Sequence, residues 1–310
     1  VIYECKVNDM VLFFVILHIN NFYGMGSFAD RFKRIVKESN LTPEQEAKYQ
    51  SFKKKGYRVP SKRLIKSESD IQGIRASGVI NTGVLDYVAD RIKAGVSTAE
   101  IDKWVYDYTT EHGAIPAPLN YEGFPKSVCV SINHVVCHGI PSEDTILKEG
   151  DIVNVDVSTI YNGYYSDASR MFIIGKTDAG RERLVKVAKE ALEEGLKAAR
   201  AWHFLGDIGA AVQQHVEGNG FSVVRDFGGH GVGIKFHEDP FVSHVGKKNT
   251  GMVLVPGMVF TIEPMVNMGR YQIEIDEKDG WTVTTIDKKP SAQWEYTVLI
   301  TEEGPEILTY

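Results

Sequence analysis

A chain of 310 residues, 43% apolar and 25% charged, has an ordinary globular composition and is long enough to bury a core as one large domain or two small ones. Its three cysteines, Cys5, Cys129 and Cys137, are too few and too unevenly placed for a disulfide framework; no C-x-x-C pair suggests structural zinc, so a reducing, cytoplasmic compartment is expected. The net charge of −6 is unevenly spread: residues 26–66 carry 12 Lys and Arg against 4 Asp and Glu, a local +8 that leaves −14 for the remainder.

The apolar run at residues 10–19 is about half the length that a membrane-spanning helix requires. Glu4 and Asp9 oppose Lys6 where a signal peptide would carry a basic start. Residues 1–24 are therefore expected to be an apolar extension upstream of Met25, or a misassigned start, and no membrane association is expected. Residues 25–64 follow as a basic arm. Such charge runs are ordinarily solvent-facing; the sharper reading is an electrostatic contact with RNA, including ribosomal RNA.

Ser67 and Asp70 form a capping-box start, and Ile71, Ile74, Leu85, Val88 and Ile92 continue at helical spacing to a stop at Gly95. Ser97 and Glu100 open a second helix through Ile101, Trp104, Val105 and Tyr108, closed by Gly113. The layout recurs: Thr177 is the expected cap of a helix carrying Leu184, Val187, Ala191 and Leu192, and a shorter helix runs from Ile208 to Val216 and ends at Gly220. An offset of 107 maps Ile101 to Ile208, Gly113 to Gly220, Leu147 to Leu254, Gly150 to Gly257 and Asp156 to Glu263. Two halves, each a helix pair followed by antiparallel strands, predict a pseudo-twofold α+β domain with a ligand cleft between them.

After Gly150, the residues Ile152, Val153, Val155 and Val157 mark a buried strand, and Asn162-Gly163 is a strong hairpin signal. A two-residue turn there pairs Tyr161 with Tyr164, Ser158 with Asp167 and Asp156 with Ser169, so the two aspartates share one face as diagonal neighbours. The counterpart strand at 259–263 ends on Glu263 in otherwise apolar surroundings, and Glu295 begins a similar strand through Tyr296 and Val298. Four carboxylates converging on a half-buried cleft repel one another unless cations neutralise them. His230, inside the glycine-rich segment 228–233, adds a single nitrogen to an oxygen-rich set, which favours manganese or iron over a thiolate-type zinc site. Two such ions can generate a hydroxide near neutral pH.

Taken together, Cys137-His138-Gly139-Ile140-Pro141, Asp156 followed by Asp167, the His230 segment with Phe236-His237-Glu238, Thr261-Ile262-Glu263-Pro264 and Gln293-Trp294-Glu295 resemble the type I methionine aminopeptidases, from about Ile65 to the C-terminus. The resemblance implies the pita-bread fold over residues 65–310 and removal of the initiator methionine from nascent polypeptides whose second residue is small. It implies two divalent ions (manganese, iron, cobalt or zinc), one held by Asp156, Asp167 and Glu295, the other by Asp167, His230, Glu263 and Glu295. It further implies that His237 touches the scissile carbonyl region and His138 the peptide amide or leaving side. Tyr121, Phe124, Cys129, Phe236 and Trp281 would line the methionine pocket. Phe124 stands where many relatives have Tyr, and Tyr296 where some have His. A monomer is expected. Two alternatives remain: an X-Pro hydrolase of the same fold, for which the N-terminal 65 residues are short, and a binding protein at the ribosome that has lost catalysis, against which all five ligand positions are filled.

Overall fold

Three hydroxyl residues each start a helix. In the computed structural model, which describes residues 40–310, Thr42 caps α1 (Pro43–Lys54), Ser67 caps α2 (Glu68–Ala89) and Ser97 caps α3 (Thr98–Glu111), each in a reciprocal bond with the residue three positions on. The extension at 1–24 and residues 25–39 of the basic arm lie outside the described residues. The rest of the arm is folded: the Tyr49 hydroxyl donates to the Pro60 carbonyl at 2.8 Å, and Phe52 stacks on Trp202 with ring centroids 6.0 Å apart. Residues 41–310 form one compact unit. No helix among the described residues is long and apolar enough to cross a membrane.

Two expected helix limits move. The helix opened by Ser67 ends at Ala89 rather than near Gly95, because Gly95 serves a return turn in which its N–H donates to the Leu147 carbonyl at 2.8 Å. The cap of α4 (Ala179–Ala198) is Asp178 rather than Thr177; the Asp178 carboxylate accepts from the Gly180 and Arg181 N–H groups, while the Thr177 hydroxyl donates to the Gly150 carbonyl. Helix α5 (Leu205–Gly218) follows. In α2 the apolar spacing lapses between Ile74 and Val84, yet Ser77 and Asn81 are buried there. They bond sheet carbonyls, Ser77 that of Thr159 and Asn81 that of Val157, so a polar middle still packs.

The main sheet is built from β1 (Ile115–Pro116), β2 (Cys129–Ile132), β4 (Ile152–Tyr161), β5 (Tyr164–Ile173), β7 (Gly229–Gly231), β8 (Glu238–Val242), β9 (Val259–Ile262), β14 (Glu295–Ile300) and β15 (Pro305–Ile307). Its order is β1-β4-β5-β14-β9-β7-β8, with β2 beside β4 and β15 beside β14. The β4–β5 register is the one expected from Asn162-Gly163: Tyr161 opposite Tyr164, Ser158 opposite Asp167 and Asp156 opposite Ser169. Two small sheets complete the fold. One joins β6 (Ser222–Val223), β10 (Met265–Asn267) and β13 (Ser291–Gln293); the other joins β3 (Val135–Cys137), β11 (Ile273–Ile275) and β12 (Val283–Thr285).

The two halves repeat at the level of single hydrogen bonds. Gly95 N–H donates to Leu147 O at 2.8 Å and Leu147 N–H to Val96 O at 2.8 Å; at the same offset of 107, Trp202 N–H donates to Leu254 O at 2.7 Å and Leu254 N–H to His203 O at 2.8 Å. The bridge Ser97↔Ile146 has its counterpart in Phe204↔Val253. Gly150 and Gly257 share a left-handed backbone at φ +90° and +87°. Trp202 occupies the left-handed position that is glycine in the first half, at φ 68°. Its ring is held by Phe52, by the Lys48 ammonium 4.7 Å from the ring centroid, and by an indole N–H bond to Glu302. Helices α2 and α3 pack on the first half around Leu85, Ile101, Val105, Val153 and Val155, and α4 and α5 on the second around Leu184, Ala188, Val212 and Val266. The halves join where β5 meets β14.

Candidate metal centre

Five neighbouring strands each bring one side chain to the same concavity. Asp156 comes from β4, Asp167 from β5, Glu295 from the start of β14, Glu263 from the residue after β9, and His230 from β7. In a flat sheet β5 and β7 would stand roughly 14 Å apart, three strand spacings. His230 Nε2 nevertheless lies 3.6 Å from Asp167 Oδ2 and 3.8 Å from Glu263 Oε1, so the sheet is strongly curved and its concave face gathers the five groups. Tight strand approach at β7 depends on glycine: a Cβ on Gly229 would meet the Thr261 carbonyl at 2.2 Å, and one on Gly231 the Asp239 carbonyl at 2.1 Å.

Asp167, Glu263 and Glu295 are buried and Asp156 is partly so, and their chemistry is set by that. Burial pushes Asp156 up to about 7 and Glu263 to about 8. Burial first, then the charge of neighbouring carboxylates, carries Asp167 and Glu295 well above the usual range. The histidines move the other way: burial, then repulsion from His237, lowers His230 to about 3 and His138 to about 4, and burial lowers His237. His230 is thus neutral near pH 7. Its Nδ1 faces the Gly231 carbonyl at 3.0 Å and takes the proton there, which leaves the Nε2 lone pair aimed at two acids.

Those Nε2 contacts are too long for hydrogen bonds. Lone pair and carboxylates need something positive between them. Ligand atoms of Asp167, His230 and Glu295 lie within 4.8 Å of one another, and Glu295 Oε1 is buried with no hydrogen-bond partner among the described residues. The donor set of oxygens plus one neutral imidazole nitrogen fits a divalent cation.

Surrounding residues fix the ligands. Ser158 Oγ donates to Asp167 Oδ1 at 2.8 Å, Thr261 Oγ1 to Glu263 Oε1 at 2.6 Å and Gln293 Nε2 to Glu263 Oε2 at 3.0 Å. The Glu263 N–H donates to Nε2 of the buried His244 at 3.0 Å. Thr297 Oγ1 accepts from the Asp167 N–H and, with Thr309 Oγ1, donates to the Asp167 carbonyl. Thr261 and Gln293 each stand two residues before a ligand, so strand periodicity could have indicated them. His244 and Thr309 carry no such sequence signal.

A cavity of about 460 Å³ opens above the carboxylates. All twelve site residues singled out in the sequence line it: Asp156, Asp167, His230, Glu263 and Glu295, together with His138, His237, Tyr121, Phe124, Cys129, Phe236 and Trp281. Phe227, Met265, Phe241 and Pro118 also line it, without having been expected. Phe124 meets Trp281 edge-on at 5.2 Å and Tyr121 meets Phe236 at 4.8 Å. His237 Nδ1 lies 3.1 Å from the Tyr121 hydroxyl, and His138 sits edge-on to Phe227 on a left-handed backbone at φ 57°.

Residues 72–302 match metallopeptidase family M24. The chain is 49% identical over 246 residues to the methionine aminopeptidase of Escherichia coli, covering 79% of this chain and 93% of that one. It is 47% identical to the methionine aminopeptidase of Rickettsia prowazekii, whose crystal structure superposes with a TM-score of 0.78 over 79% of this chain and 99% of the other. Prolidase from Pyrococcus furiosus is similar at 25% identity and a TM-score of 0.64, but only 66% of that longer chain is covered. The α+β architecture, with its two repeated halves, is the pita-bread fold expected from the sequence.

Proposed function

Since the chain belongs to metallopeptidase family M24, we infer that the concave site is where it removes the N-terminal methionine from polypeptides, acting as an aminopeptidase like its relatives. The observation that carries this reading is one cavity with two kinds of wall. Four acids and a neutral imidazole make up one part of its lining, and aromatic rings, Cys129 and Met265 another. An unbranched thioether side chain suits the second wall, because sulfur packs well against ring edges.

Asp156, Asp167 and Glu295 would hold one divalent ion, and Asp167, His230, Glu263 and Glu295 a second, with Asp167 and Glu295 shared. Ions bound there supply charge neutralisation and Lewis acidity near neutral pH. The chain's own groups do the rest. His237, its Nδ1 engaged by Tyr121, keeps Nε2 for the scissile carbonyl region, and His138 faces the peptide amide or leaving side. Both rings are held below the ordinary histidine value, so at neutral pH each presents one N–H donor and one acceptor. Donors held in place before the reaction stabilise developing charge at little reorganisation cost. The substrate is a nascent polypeptide with a small second residue, cleaved by a cytoplasmic monomer.

Assaying Met-Ala-Ser, Lys-Ala-Ser and Ala-Pro peptides, with chelator and then with added manganese, cobalt or iron, tests this reading. The expected result is release of methionine alone, lost in chelator and restored by metal. Cleavage confined to the proline peptide would move the assignment to an X-Pro hydrolase, and no turnover with any metal would move it to a binding protein.

The basic stretch at 26–66 is the part of the chain suited to ribosomal RNA. Lys53, Lys54, Lys55 and Arg58 are exposed at and beyond the end of α1. Phosphate contacts of that kind weaken steeply with salt. Cosedimentation with ribosomes should therefore fall between low and physiological salt and with removal of the positive charges. Binding indifferent to both would end the idea.

A further inference from the structure

The segment that enters α2 also reaches the turn that carries two residues of the cavity lining. Lys66 is 4% exposed, and its Nζ lies 2.6 Å from Glu238 Oε2, a residue 172 positions further on. Of the Lys and Arg ion pairs among the described residues, no other is so enclosed, with side-chain exposures of 2% and 11%. The remaining oxygen of Glu238 accepts from the Ile234 and Lys235 N–H groups at 2.7 and 2.9 Å. One carboxylate thus closes the turn at residues 234–238 and is itself held from the far side by Lys66. The Lys66 N–H donates to the Gly257 carbonyl at 2.8 Å, which ties the root of the lysine to the second half.

That turn carries Phe236 and His237, which line the cavity. Neither has a strand ladder of its own to hold it, since β7 ends at Gly231 and β8 begins at Glu238. A buried ion pair adds little net stability over well-packed apolar groups, whereas leaving one partner behind unpaired is costly. The pair is therefore better explained by what it fixes than by what it stabilises.

We propose that Lys66 is a positioning residue for substrate binding, acting through Glu238 to hold Phe236 and His237 in place; this rests on the aminopeptidase reading of the cavity. Lys66→Met removes the ammonium while keeping an unbranched stem of the same number of atoms. It should lower kcat/KM on Met-Ala-Ser roughly ten- to hundredfold by letting the turn drift, with bound metal per chain unchanged. Amide exchange should quicken at 234–238 and stay slow in the hairpin of β4 and β5. Lys66→Met with Glu238→Gln removes the stranded charge but keeps an acceptor for the two N–H groups, and should recover part of the loss. Unchanged kcat/KM and exchange in Lys66→Met would overturn the proposal, as would exchange quickened uniformly across the chain, which marks a general structural role. Failure of the wild-type protein to cleave Met-Ala-Ser would instead count against the aminopeptidase reading, and the exchange measurement would still decide whether Lys66 holds the turn.

Discussion

Asp167→Asn should abolish most peptide cleavage and at the same time raise the melting temperature of the metal-free protein. Asn keeps the shape of the side chain and an acceptor for the Ser158 hydroxyl, and the Asp167 backbone stays held by Thr297 and Thr309. What disappears is one carboxyl group, whose negative charge the metal-free fold must either cancel with a proton or hold in a buried site against Asp156 and Glu263. Without cations either course costs stability, because a carboxyl ionised in the unfolded chain must be protonated or buried charged on folding, and Asn needs neither; about 1 kcal/mol of relief corresponds to roughly 2–4 °C in a domain of this size. With cations the same charge is needed, and a fall of roughly two orders of magnitude or more in kcat/KM is expected, together with less metal per chain. Activity and melting in chelator and in manganese, with metal content by elemental analysis, form the test. Wild-type activity at full metal load, or a melting temperature in chelator lowered as by a core cavity, would refute the assignment of Asp167.

The opposite signs of those two effects follow from how the site is made, and much of that making is legible in the residue order. Asn162-Gly163 sets the hairpin register, and with it the placement of Asp156 beside Asp167, because a two-residue turn leaves no freedom in the pairing. The offset of 107 anticipates the matched bonds at Leu147 and Leu254, since each half solves the same packing problem with the same turn geometry. Other features depend on tertiary context. The curvature that brings His230 to Asp167 arises from the whole sheet and from close strand approach at Gly229 and Gly231. Lys66 and Glu238 are ordinary surface residue types, and only the fold shows them buried against each other. Ser77 and Asn81 interrupt an apolar helix face, and their use becomes clear once the carbonyls of β4 lie beneath them.

In chelator the protein should lose stability as pH rises from about 6.5 to about 8. Folded Asp156 keeps its proton up to about 7 and folded Glu263 up to about 8, while their ordinary values are 3.8 and 4.5. Over that interval the folded state binds more protons than the unfolded one, so raising pH favours unfolding; the stability these groups contribute is complete below about 4 and gone above their folded values. Buried histidines have the contrary effect. His230, His138 and His244 are held below 6.5, so their contribution is present above 6.5 and lost as pH falls, which masks the carboxyl trend on the acid side. Between 6.5 and about 7.5 the unfolded rings still bind part of a proton and reduce the slope; above that they are neutral folded or unfolded, and the carboxyls act alone, each by up to about 1.4 kcal/mol per pH unit. Asp167 and Glu295 also lie well above the usual range and extend the trend upward. A divalent cation takes the place of those protons, so binding should release protons, and the stabilisation by manganese should grow across the same interval. Urea unfolding at half-unit steps from pH 6.5 to 8, with chelator and with manganese, reads both effects; a flat or rising curve in chelator would mean that the four acids do not share one buried site.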